Sequence, residues 1–190
     1  ITSLFIPVLI VNNLFDVEIA GQFDLSRQIL AVPISLISLS ISQVFLENIT
    51  SKKKNKESFI FFYKKILMYL TIMAIIGVLV IFLYGFELFV FIFGQNWSTA
   101  GEISSILIFS YAIKFVISPL AISFIALEEL KINGVWQFCY FVAIMILYFL
   151  NDLNFETFLK VYVLIDLISY SIYGLLTYFI IRKYEKKIVL

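Results

Sequence analysis

Long apolar runs separated by short polar breaks dominate this chain. One run ends at about residue 14, and five more cover about 28–48, 59–84, 103–126, 132–150 and 157–181. A helix rises 1.5 Å per residue, so crossing a hydrocarbon layer about 30 Å thick takes roughly 20 apolar residues. The last five runs are near or above that length. Strands of a membrane barrel would instead alternate every second position over about ten residues. The predicted fold class is therefore all-α: a polytopic membrane protein with a six-transmembrane-helix bundle.

The first run, "ITSLFIPVLIV", has 11 residues and reaches about 17 Å. It has neither a basic flank nor a small-residue cleavage site, so it does not read as a signal peptide. It reads as a truncated span, and residues 1–190 are expected to be the C-terminal bundle of a longer protein.

The basic residues sort by side. With six helices, one face collects Lys52, Lys53, Lys54, Lys56, Lys64, Lys65, Lys131, Arg182, Lys183, Lys186 and Lys187, which is eleven of the fourteen. The other keeps Arg27 and Lys160 at its rim. Cytoplasmic segments retain Lys and Arg during insertion, so 49–58 is expected to be a basic cytoplasmic loop and the C-terminus to be cytoplasmic. The "KKKNK" cluster reads as a topology signal rather than as a lipid-binding switch. Trp97, Trp136, Tyr84, Tyr140 and Tyr162 fall near predicted span ends and are expected to be interfacial anchors.

Composition agrees with this pattern. The chain is 62% hydrophobic and 14% charged, against roughly 45–50% and 25% in soluble domains. A net charge of +1 gives no reason to expect a nucleic-acid partner. There is one cysteine and no histidine, which removes a disulfide framework and the commonest metal ligand and general base. No catalytic constellation is visible. The chain is expected not to be an enzyme and to need no cofactor or metal.

Two charges lie deep inside spans. Lys114 is about 17 Å, and Asp166 about 14 Å, below the start of their runs, and both runs cross in the same direction. A lone charge at that depth costs at least about 2.5–3.5 kcal/mol, and such groups usually face a bundle interior or a cavity. The two residues could pair if their helices touch, and Lys114 is expected to face an internal cavity. Either a structural pair or a substrate-contacting group would fit.

Pro33 and Pro119 stand inside spans as candidate kinks, each freeing a backbone carbonyl. Ser35 near the first, with Ser118 and Ser123 near the second, could satisfy those carbonyls. Ser38 and Ser42 have the spacing of a close helix contact. Gln43, with Glu47 and Asn48, could line an inner vestibule or merely mark a helix end. Arg27 could meet phosphate, but nearby Asp16, Glu18 and Asp24 favour local ion pairing.

Two segments carry a resemblance. "GQFDLSRQILAVPISLISLSISQVF" (21–45) and "FGQNWSTAGEISSILIFSYAIKFVISPLAISFIAL" (93–127), followed by "WQF" at 136–138, resemble successive segments of Wzx-like polysaccharide and O-antigen flippases. These are lipopolysaccharide biosynthesis proteins of the multidrug/oligosaccharidyl-lipid/polysaccharide exporter superfamily. The resemblance implies half of a twelve-helix transporter in the bacterial inner membrane. Its substrate would be an undecaprenyl-diphosphate-linked oligosaccharide, and its partners would be membrane lipids and an N-terminal helix bundle absent from this chain. It also implies cavity residues that contact a sugar-phosphate headgroup, for which Lys114, just before "SPL", is best placed. A drug or lipid-II exporter, a membrane-embedded polysaccharide polymerase or transferase, and a non-transporting scaffold are the competing readings.

Overall fold

The computed structural model of the chain describes residues 2–149 and 153–189. Among these every regular element is helical: α1 (Thr2–Leu14), α2 (Val17–Lys54), α3 (Ile60–Phe93), α4 (Ser98–Ile117), α5 (Ser123–Ala126), α6 (Leu130–Ile146) and α7 (Phe155–Val189), with short 3-10 turns between some of them. Five segments are long and apolar enough to cross a membrane: Val17–Lys54, Ile60–Phe93, Gln95–Ala126, Leu130–Phe149 and Phe155–Ile188. The 13-residue α1 reaches about 20 Å.

The helices outrun the apolar patterns that announced them. The polar stretch after α1 is helical from Val17 onward, which leaves Phe15 and Asp16 as the connection. The expected basic loop at 49–58 is corrected too: 49–54 complete α2, and 55–59 make the turn. A helix satisfies its own backbone hydrogen bonds on either side of the lipid boundary, so a polar side chain does not require it to stop. Gly94 does end α3, at φ 89°, a left-handed conformation that glycine adopts without strain. The expected end of the fifth run, Leu150, lies outside the described residues.

The two prolines behave differently. Pro33 lies within continuous α2, whereas α4 stops at Ile117, and Ser118 and Pro119 lead into a 3-10 turn over Leu120–Ile122. The neighbouring hydroxyls do not satisfy the freed carbonyls. Ser35 Oγ donates to Val32 O at 2.8 Å, and Ser123 Oγ to Leu120 O at 2.6 Å; the carbonyls that lose a partner are those of Ile29 and Phe115.

One end of the bundle gathers the turns between α2 and α3 and between α5 and α6, with the end of α7. Lys53 Nζ meets Glu128 Oε1 at 2.7 Å and Lys183 Nζ meets Glu129 Oε1 at 2.6 Å. Glu185 Oε1 accepts the Phe59 and Ile60 amides at 2.9 and 3.2 Å, placing a carboxylate at the positive end of α3. At the opposite end Gln22 clips α2 to the α3–α4 turn, donating to Asn96 O at 2.7 Å and accepting from the Ala100 amide at 3.0 Å. There too, Phe15 meets Phe155 edge-on at 5.3 Å. The grouping of chain ends matches the alternation on which the charge sorting relied.

A backbone-close helix contact lies elsewhere than at Ser38 and Ser42. A Cβ added to Gly101 would lie 2.7 Å from Phe86 Cα, so α3 and α4 touch through backbone there. Ser42 instead faces the helix break at Pro119, with its Oγ 2.7 Å from Ser38 O and 3.4 Å from Pro119 O.

Candidate functional site

Four-residue spacing puts Ser110 and Lys114 on one stripe of α4, with Ser118 in line just past its end, and Tyr162, Asp166 and Tyr170 on one stripe of α7. The two stripes face one another in the middle of the bundle, and Tyr140 reaches in from α6. Lys114 Nζ lies 2.5 Å from Asp166 Oδ2. Ser110 Oγ donates to the same oxygen, and Tyr140 OH donates to Oδ1 at 2.7 Å. Asp166 is fully buried. Its carboxylate thus has an ammonium, a serine and a tyrosine in place of water.

The ammonium is enclosed on other sides by aromatic faces. Lys114 Nζ is 5.3, 5.4 and 5.6 Å from the ring centroids of Tyr111, Tyr162 and Tyr170, within the range where a π-face attracts a cation. Tyr162 OH lies 3.4 Å away. Behind the carboxylate, Tyr140 stacks on Trp136 at 5.4 Å, Trp136 on Tyr173 at 3.7 Å, and Tyr173 on Phe124 at 5.2 Å, all within 8° of parallel. The Trp136 indole donates to Ser169 O at 3.0 Å and Tyr173 OH to Asn133 Oδ1 at 2.7 Å. This column of rings fixes where Tyr140, and through it Asp166, can sit.

Lys114 is not sealed off. Its side chain is 13% exposed, toward a cleft of about 480 Å³ between α2 and the α4 and α7 stripes. Ser35, Ser38 and Ser42 of α2 line the far wall, and Tyr111, Ser118 and Tyr170 the near one. The Ser38 hydroxyl is shut off from solvent and has no hydrogen-bond partner among the described residues. A buried hydroxyl left without a partner costs roughly 1–3 kcal/mol. Asp166 offsets the lysine charge on its inner side. What Lys114 offers the cleft is therefore a directed N–H donor with little net long-range field.

The other expected site residues fall outside this centre or beside it. Arg27 is buried in α2 and pairs with Asp24 at 3.2 Å, as its acidic neighbourhood suggested. It stands one turn beyond Phe23, which meets Tyr162 edge-on at 6.2 Å. Gln43 is exposed on α2 and does not line the cleft. Pro33 lies on the exposed side of α2, next to cleft residues Val32 and Ile34. Pro119 ends the helix that carries Lys114.

Three aromatic assignments are corrected. Trp136, Tyr140 and Tyr162 are buried at 9%, 8% and 3% exposure, inside the bundle rather than at an interface. Tyr84, at 58%, is exposed. An amphipathic ring suits a lipid boundary and a buried hydroxyl partner equally well. The signal that separates them is position relative to Asp166, since Tyr162 and Tyr170 stand one turn on either side of it.

No curated protein and no solved structure matches the chain. Residues 4–102 match the family described as polysaccharide biosynthesis protein, just over half of the sequence, from α1 into the first turn of α4. The chain belongs to this polysaccharide biosynthesis protein family.

Proposed function

We propose that this chain is the six-helix half of a flippase that moves undecaprenyl-diphosphate-linked oligosaccharides across the bacterial inner membrane, paired with a second helix bundle. Family membership supports a role in surface polysaccharide synthesis. The observation that carries the finer reading is Lys114 on the wall of a mostly apolar cleft that also carries serines and tyrosines at mid-depth. An oligosaccharide headgroup is a dense array of oxygens, and the cleft offers the Lys114 ammonium beside serine and tyrosine side chains. Phosphate oxygens would take the Lys114 N–H directed at the cleft, and the paired Asp166 would keep the ammonium from holding the anion too tightly to release it. Exposed apolar helix faces on α2 and α3 would meet lipid, the polyprenyl tail or the second bundle.

The test uses cells whose own flippase has been deleted. The native gene carrying this chain is expected to restore surface polysaccharide. The double variant Lys114→Met/Asp166→Asn removes the ammonium without stranding a buried charge. At wild-type abundance in the membrane, it is expected to abolish restoration. Full restoration by the double variant would make the pair purely structural, and failure of the native gene would overturn the flippase reading.

A further inference from the structure

A second cleft lies on the outer face of α6 and α7, away from Lys114. It encloses about 620 Å³ and is lined along α6 by a stripe that includes Lys131, Val135, Trp136, Cys139 and Ala143, with Ile172 opposite on α7. Its polarity is graded. Lys131 stands at the end of the bundle where the basic residues gather, is exposed, and makes no ion pair or hydrogen bond among the described residues. The adjacent acids do not neutralise it, because Glu128 is taken by Lys53 and Glu129 by Lys183. Beyond Lys131 the lining is almost wholly apolar, and at Ser169 the backbone carbonyl accepts from the Trp136 indole.

The length of the cleft points to its occupant. From Lys131 to Ala143 the helix rises about 18 Å, against about 15 Å for half of a 30 Å hydrocarbon layer. One cation at the membrane boundary, followed by one leaflet's depth of apolar groove, has the polarity and length of a single lipid molecule. We propose that this cleft binds an anionic phospholipid, with the phosphate on Lys131 and an acyl chain along Trp136 and Cys139. The site is separate from the Lys114 cleft and stands whether or not that cleft carries substrate.

Trp136 in the floor is a built-in reporter. The chain has two tryptophans, so Trp97→Phe leaves Trp136 alone. The whole chain carrying that substitution is reconstituted in phosphatidylcholine vesicles containing acyl-brominated phosphatidylglycerol or, in a parallel set, acyl-brominated phosphatidylcholine. Bromine quenches a tryptophan it touches. The anionic lipid is expected to occupy the site about fivefold more readily, the ratio that corresponds to roughly 1 kcal/mol for one lysine at an anionic surface. Lys131→Gln is expected to bring the ratio to about one, and N-ethylmaleimide on Cys139 to reduce quenching by both lipids. Equal quenching by the two lipids, a preference that survives Lys131→Gln, or no quenching by either would overturn the proposal; the last result would mean that protein covers the cleft.

Discussion

Two regions of this molecule join lysine to carboxylate at nearly the same distance. Lys114 and Asp166 meet at 2.5 Å in the bundle centre, and Lys53 and Glu128 at 2.7 Å where α2 reaches the α5–α6 turn. Their surroundings differ. Asp166 is fully buried, whereas the Glu128 side chain is 82% exposed. Bringing charges out of water is expensive, and the central pair offsets that expense with Ser110, Tyr140 and three tyrosine faces. The outer pair needs no such support, because water solvates both partners. Equal geometry therefore does not mean equal consequence. In the centre the ion pair organises the side chains around it, while at the surface it tethers two segments loosely.

The largest effect expected from breaking this comparison is in the centre. Asp166→Ala strands the Lys114 ammonium and is expected to destabilise the bundle by about 3–5 kcal/mol, read as a lower unfolding midpoint in detergent. Lys114→Met/Asp166→Asn should return most of that loss, since no buried charge remains and the amide oxygen can still accept from Tyr140. A double variant as unstable as the single one would show that the ion pair itself, not the avoidance of a lone charge, holds the centre.

A smaller effect is expected from Tyr140→Phe. The ring can still stack on Trp136 while one donor to Asp166 Oδ1 is lost. Hydrogen bonds to charged groups contribute about 1.5–3 kcal/mol, so the midpoint should fall, but by less than for Asp166→Ala. An unchanged midpoint would remove Tyr140 from the support of the carboxylate.

The smallest effect is expected at Glu128. The Lys53 hydrogen bond and charge hold its carboxyl below the ordinary value of 4.5. A lowered folded-state value means that the contribution is fully present above about pH 4.5 and fades as the pH falls through the folded-state value. Glu128→Gln should therefore leave the midpoint nearly unchanged at pH 7 and slightly flatten its decline below pH 4.5, and high salt should mimic it. A loss at pH 7 as large as that of Asp166→Ala would erase the distinction between the two regions.

Much of the central pair was legible in the sequence. Two charges in otherwise apolar runs, at similar depth on helices of the same direction, could satisfy each other, and they do. The two meet at one level although α4 starts at Ser98 and α7 at Phe155, earlier than the apolar patterns suggested. Tyr140 and Tyr162 read as interfacial when single residues are weighed without their turn-by-turn neighbours. Pro33 and Pro119 could not be told apart from sequence, since both remove one hydrogen bond. Packing separates them: beyond Pro119 the chain folds into a turn whose Leu120, Ala121, Ser123 and Phe124 are buried, while Pro33 sits on an exposed helix face.

That face has a mechanical consequence. The buried residues of α2 fall in two groups, from Ala20 to Leu30 and then Phe45 and Ile49. Between them, residues 31–44 contain no buried side chain and include Pro33, where one rung of the helix ladder is missing. The same stretch supplies Ser35, Ser38 and Ser42 to the cleft in front of Lys114. The wall of the cleft is thus a beam clamped at both ends, with its weakest point beside the clamp at Leu30. Bowing it outward would widen the opening without disturbing either clamp, while the Lys114 side of the cleft stays fixed.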